Sequence, residues 1–251
     1  WKIAMSRPEP IPVYAEMGSV NPTVILPGKL ADAEGMAKTM HGSLTMGMGQ
    51  FCTKPGLIIT VGDSEAFVSN LAGLFSNTAF GTMLTDGIEE AYNAGVESRA
   101  AGVAEVSSGG TSRSATLLTC DAATFKSNPN LAEEVFGPYA IVVRCQSAQE
   151  ATELVDSLQG QLTGTIFGTD SDLEDNSDLF HALELRVGRI LVNQVPTGLE
   201  VCSSTVHGGP FPATTEPRST SVGTMAIHRW ARPVCYQNVP KQLLPVSLRT
   251  E

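Results

Sequence analysis

Two patterns of apolar residues alternate along the chain. The first is a set of short, almost wholly apolar runs: Val24-Ile-Leu26, Leu57-Ile-Ile-Thr-Val61, Ala115-Thr-Leu-Leu-Thr-Cys120, Ala140-Ile-Val-Val-Arg-Cys145, Gly164-Thr-Ile-Phe-Gly168 and Arg189-Ile-Leu-Val-Asn193. Their length and β-branched content predict buried strands. The second is a spacing of three and four residues, the period of an amphipathic helix. It runs through Leu30, Ala33, Ala37, Met40 and Leu44, then through Phe67, Val68, Leu71, Leu74 and Phe75, then through Ile88, Ala91, Tyr92 and Val96. Asp86 with Glu89 reads as the capping box of that third helix. Ser147 with Glu150 opens a fourth, carrying Ala151, Leu154, Val155 and Leu158 until Gly160 stops it, and Ser171 with Glu174 opens one carrying Leu173, Phe180 and Leu183. A short strand near Gly102–Val106 is followed by a turn at Ser107-Ser-Gly-Gly110. Strands alternating with helices predict an α/β fold with a mostly parallel, helix-covered sheet.

The two ends read differently. Prolines at 8, 10 and 12 force an extended lead-in. From Gln194 to about Gly223 the chain is rich in Gly, Pro, Ser and Thr, the composition of a functional or packed loop. Trp230–Tyr236 and Leu243–Leu248 read as an extended arm.

Composition narrows the partners. With 251 residues the chain can build one sizeable core or two small domains. A net charge of −10 without a Lys/Arg cluster argues against nucleic acid or an anionic membrane surface, and no apolar run approaches the ~20 residues of a membrane span. Cysteines at 52, 120, 145, 202 and 235 are odd in number and widely spaced, which favours a reducing, cytoplasmic setting; no secretory leader opens the sequence. Histidines at 41, 181, 207 and 228 lack metal-ligand spacing, and no structural metal is expected.

The candidate chemistry centres on Met46-Gly-Met-Gly-Gln-Phe-Cys-Thr-Lys-Pro-Gly56. Glycines at 47, 49 and 56 set Cys52 in a turn between a helix and a strand, where functional groups tend to be presented. Lys54 offers a cation that would favour the thiolate. Spacing alone leaves both readings open, a nucleophile or a small buried hydrophobe. Neither Gly47-x-Gly49 nor Ser107–Gly110 is a dinucleotide fingerprint.

Three ordered blocks decide between them. Tyr14-Ala-Glu-Met-Gly-Ser-Val-Asn-Pro22, then Gly47–Pro55 with Cys52 about three dozen residues beyond Glu16, then Glu133-Glu-Val-Phe-Gly-Pro138 together resemble the signatures of the aldehyde dehydrogenase superfamily. With His207-Gly-Gly-Pro-Phe-Pro212, the wording is most similar to the branch acting on 2-oxoglutarate semialdehyde (2,5-dioxopentanoate) or long-chain aldehydes. The resemblance implies Cys52 as nucleophile, forming a thiohemiacetal and then a thioester, and Glu16 as general base. It implies Glu134 as acceptor for the ribose hydroxyls of NADP or NAD, with Phe136 packing near the nicotinamide. His207 is the candidate proton relay, and Arg218 the candidate partner of a substrate carboxylate. Ser19 stands where a second glycine is common, a departure that bears on the geometry of the Glu16 turn. The resemblance further implies that residues 1–15 are a lead-in from a preceding cofactor-binding half, that 16–228 form the catalytic domain, and that 229–251 are an oligomerisation arm of a dimer or tetramer. Two other readings stay open here: a non-enzymatic oligomerisation module, and a cofactor-free thioester or ester hydrolase using Cys52.

Overall fold

The computed structural model describes residues 1–102, 105–109 and 113–249. Its strands are β1 (Thr23–Ile25), β2 (Leu57–Val61), β3 (Glu105–Ser108), β4 (Thr116–Asp121), β5 (Tyr139–Cys145), β6 (Gln161–Phe167) and β7 (Val187–Val192). They form one sheet in the order β3-β4-β5-β2-β1-β6-β7, parallel throughout except for the antiparallel β3 edge. The expected alternation therefore closes into a helix-covered parallel sheet.

Successive residues of each central strand face opposite layers. Ile25, Ile58 and Val142 join Met40 and Leu44 of the helix Ala33–Thr45 and Phe67 and Leu71 of the helix Glu65–Ser76. Val24, Leu57, Ile59 and Ile141 face the other way, onto Tyr92, Leu154 and Leu183 of the helices Asp86–Ala100, Ala148–Ser157 and Ser177–Glu184. Because both faces are covered, these strands read as unbroken apolar runs. Each such Leu, Ile or Val contributes roughly 1.5–3 kcal/mol of burial.

The helix starts correct two expectations. Thr85, not Asp86, caps its helix by accepting from Ile88 N–H, and Asp86 is the first helical residue. Thr169 and Asp172, not Ser171 and Glu174, form a reciprocal capping box, and the helix they open ends at Asp175; a second begins at Ser177. Ser147 caps its helix as expected. β3 runs from Glu105 to Ser108, so Ser107 and Ser108, expected in a turn, belong to the strand; Val103 and Ala104 of the expected strand and Gly110 of the expected turn lie outside the described residues. Beyond Asn193 the described chain runs in turns and single 3-10 helices, among them Thr224–Arg229, Lys241–Leu243 and Val246–Leu248, with Trp230, Leu243 and Val246 largely exposed.

The strand order has one outcome that matters for chemistry. The Glu16 turn precedes β1, the Cys52 turn precedes β2, the Glu134 loop precedes β5 and Gln161 opens β6. Since these four strands are adjacent and parallel, everything just before them gathers at one edge of the sheet.

Candidate active site

Cys52 is reached through three consecutive residues in left-handed conformation, Gly47 (φ 55°), Met48 (φ 59°) and Gly49 (φ 66°). Only glycine takes this conformation at little cost, so Met48 is a strained position in the turn. A Cβ on Gly49 would lie 2.3 Å from the Gly137 carbonyl oxygen, so here the Cys52 turn touches the Glu134 loop backbone to backbone. Gly49→Ala is accordingly expected to destabilise the chain by about 3 kcal/mol or more. Denaturant titration checks this; a loss below about 1 kcal/mol would mean that the two loops are not in contact.

The Cys52 side chain is exposed, with Sγ 3.3 Å from His207 Nε2. His207 Nδ1 lies 3.1 Å from Glu16 Oε2 and 3.3 Å from Ser221 Oγ. Glu16 is brought there by pairing with Thr214, where Met17 N–H donates to Ala213 O and Thr215 N–H to Ala15 O, just beyond the histidine loop. The loop is fixed in turn by Thr220 Oγ1, which accepts from His207 N–H. Thiol, imidazole and carboxylate thus stand in line. With Nδ1–H on the carboxylate, Nε2 faces the thiol as an acceptor. The Cys52 contact foremost, and the Glu16 charge after it, hold His207 above the ordinary histidine value against its partial burial. Such a line can take a proton from sulfur or from water.

A second group of bonds ties the turns together. Asn21 is wholly buried with φ 48°, and its Nδ2 donates to both Cys52 O and Lys54 O at 2.9 Å. Gln161 Oε1 accepts from Val20 N–H at 2.7 Å and from the Ser19 hydroxyl at 2.9 Å, while Leu162 N–H donates to Ser19 Oγ. The Ser19 hydroxyl therefore fastens the Glu16 turn to β6. Glu134 Oε2 accepts from Ser19 N–H at 3.2 Å, and burial pushes this carboxyl up, opposed by Lys54 and by that bond. Glu134 lines a cleft of about 510 Å³ together with Met17, Gly18, Lys126 and Gln159. Phe136 is half-buried in the same loop, beside Gly137 at φ 152°.

Lys54 corrects an expectation. It is 2% exposed and donates to Val135 O and Tyr139 O, so its ammonium serves the neighbouring loop rather than the thiol. Arg218 is exposed, with its backbone N–H on the Glu216 carboxylate, and among the described residues it joins no ion pair. Arg189, half-buried on β7, is a cation near enough to feel the Cys52 charge, and its guanidinium donates to Pro196 O at 2.9 Å. Asn21, Gln161, Lys54 and Arg189 are the residues that the motifs did not single out for these contacts. Among the described residues no cluster of three His, Cys, Asp or Glu side chains is placed to hold a metal.

Comparison with known proteins follows the same lines. Residues 2–210 match the model of the aldehyde dehydrogenase family. Alpha-ketoglutaric semialdehyde dehydrogenase 2 of Azospirillum brasilense is 43% identical over 258 residues, 99% of this chain and 49% of that protein. Alpha-ketoglutaric semialdehyde dehydrogenase of Acinetobacter baylyi is 41% identical over 261 residues, again 99% of this chain and 49% of that protein. The chain thus spans about half the length of these curated relatives. Among solved structures, betaine aldehyde dehydrogenase of Staphylococcus aureus in complex with NAD+ superposes with a TM-score of 0.71 at 20% identity, over 86% of this chain and 45% of that one. Gamma-glutamyl-gamma-aminobutyraldehyde dehydrogenase of Burkholderia cenocepacia gives 0.69 at 19% identity with the same coverage. At these identities the structures speak for the fold alone.

Proposed function

The chain belongs to the aldehyde dehydrogenase family, and from that premise we propose that it carries the reacting groups for nicotinamide-dependent oxidation of an aldehyde, 2-oxoglutarate semialdehyde, to the carboxylic acid. The relatives named for that substrate support the choice. One observation carries the reading: the turns before β1, β2 and β5 bring a base, a thiol and a buried carboxylate to a single edge of the sheet.

Cys52 Sγ attacks the aldehyde carbon, its proton passing to His207 Nε2 and from there to solvent, and the oxyanion of a thiohemiacetal forms on sulfur, leaving His207 neutral for the second half of the reaction. A bound nicotinamide supplies the hydride acceptor. The acyl group is then held on Cys52 as a thioester. Glu16, acting through His207, draws a proton from water, the water oxygen bonds to the acyl carbon, and the carbon–sulfur bond breaks to return the thiol. The residues present suit a nicotinamide nucleotide: Glu134 is restrained at one oxygen by Ser19 and borders an open cleft, as a carboxylate that accepts sugar hydroxyls should. Phe136, half-buried in the same loop, is the residue that would pack against the nicotinamide. NADP is the proposed cofactor, with NAD the alternative.

The proposed domain plan keeps 1–15 as lead-in, 16–228 as catalytic domain and 229–251 as an arm that pairs with a second copy. The exposed Trp230, Leu243 and Val246 support the arm. No described helix is long and apolar enough to cross a membrane, and a cytoplasmic setting is proposed. The Cys52–His207–Glu16 line supports a second reading, cofactor-free hydrolysis of thioesters or esters, because that line lies within this chain. The intact protein, given 2-oxoglutarate semialdehyde or a long-chain aldehyde with NADP or NAD, is expected to form reduced cofactor and acid in equal amounts. Ester hydrolysis without cofactor, and no reduction of either nucleotide, would favour the second reading instead.

A further inference from the structure

A fully buried cation is rare unless it is paired, and Lys54 stands two residues from the nucleophile. Its ammonium donates to Val135 O at 2.9 Å and Tyr139 O at 2.8 Å, the two ends of the loop that follows Glu134. The Tyr139 ring lies 5.6 Å away. A neutral amide could bond two carbonyls without the cost of a dry charge, so the charge itself calls for an explanation.

Its counterpart is Glu134. A cavity of about 10 Å³, close to the room of one water molecule, is lined by Lys54, Ser19, Gly56, Glu133, Glu134 and Tyr139 among others. Of the titratable groups there, Glu133 turns outward to Arg99, and Tyr139 is held protonated by burial, with Arg99, Cys120 and Tyr92 as its own neighbours. Glu134 is the one charge that opposes the burial of Lys54, whose pKa falls to about 8. The relation is reciprocal, since Lys54 is the main restraint on the upward push that burial gives Glu134.

These contacts close a triangle. Asn21 joins the Glu16 turn to the Cys52 turn at Cys52 O and Lys54 O, Lys54 joins the Cys52 turn to the Val135–Tyr139 segment, and Glu134 returns to the Glu16 turn through Ser19. We propose that Lys54 is a positioning residue for cofactor binding: its buried ammonium holds the cofactor-facing loop to the nucleophile turn and supplies the counter-charge for the Glu134 carboxylate. The proposal rests on the reading of Glu134 as the sugar contact.

The test is a double-mutant cycle on the intact protein, reading NADP(H) affinity by titration against pH. Lys54→Gln is expected to weaken binding about tenfold at pH 7 and to move the acid limb of the affinity profile to higher pH, with the rate of Cys52 alkylation kept within about twofold. In a Glu134→Gln background Lys54→Gln is expected to have no further effect on affinity, and with Glu134 in place Lys54→Arg is expected to keep most of the affinity that Lys54→Gln loses. An unchanged acid limb, or an equal loss in the Glu134→Gln background, overturns the coupling. Normal cofactor binding by Glu134→Gln alone removes the sugar contact itself, and the proposal with it. Should Lys54→Gln not fold, the wild-type protein decides by NMR titration of the Lys54 side chain. Its midpoint is expected to rise when NADP(H) is added, because sugar hydroxyls stabilise the facing carboxylate; an unmoved midpoint overturns the proposal.

Discussion

Cys52→Ala is expected to lower aldehyde oxidation by at least about 10⁴-fold while leaving the melting curve in place. The side chain is exposed, and among the described residues its hydrogen bond is to His207, so its loss leaves no cavity in the core. The turn keeps its shape because Asn21 grips backbone carbonyls, not the thiol. No other described cysteine bonds to His207 or Glu16, and exposed Cys235 lies in the 229–251 segment. Cys120 and Cys145 are buried, with thiols pushed up to about 12, and Cys202 lies in the loop that follows β7, its sulfur bonded to Ser204 and Thr205. The measurement is formation of reduced cofactor, with circular dichroism melts beside it. A variant that folds and keeps a tenth of its turnover would remove Cys52 from the reaction.

Glu16→Gln is expected to cut steady turnover by about 10³-fold but to spare the first half of the reaction. The carboxylate lies on His207 Nδ1 rather than on sulfur, so it acts through the ring. A glutamine in its place would offer an N–H to Nδ1, which favours the tautomer with hydrogen on Nε2 and leaves no acceptor facing the thiol or a water. The residual thiolate still adds to the aldehyde, yet hydrolysis lacks its base. Mixing enzyme, aldehyde and cofactor should therefore give a single burst of reduced cofactor, and mass spectrometry should find an acyl group on Cys52. Loss of burst and turnover together would move Glu16 to the addition step; normal turnover would dismiss it as the base.

How much of this was legible in the sequence depended on whether the information was local. Strands covered on both faces must be apolar throughout, so β2 and β5 could be read almost to the residue, and Ser147 stood alone as a cap former before its helix. Thr85 and Asp86 are adjacent cap formers, as are Thr169 to Asp172, and one-dimensional spacing does not choose between such neighbours. The order β5-β2-β1-β6 was not legible at all, because parallel neighbours are chosen by crossovers and not by local pattern. Resemblance supplied Cys52, Glu16 and His207 as members of one site. It did not supply their wiring. Lys54 read as a cation at the service of the thiol two residues away, and only the loop packed over it, invisible in local spacing, turns its ammonium to other partners. Asn21 and Gln161 carried a faint signal, each being a polar residue at the threshold of an apolar run. Arg189, a single cation inside β7, carried another.

The wiring also sets when reactivity can arise during folding. Glu134 meets Ser19 across 115 positions of sequence, Gln161 meets Val20 across 141, and His207 meets Cys52 across 155. Contacts of that span must wait for the loops between them to close, and they belong to the slow, late part of the search. A nascent or half-folded chain thus holds its sulfur without the imidazole or the carboxylate that would arouse it. Completion of the Cys52–His207–Glu16 line is thereby a report that the sheet from β1 to β7 has assembled.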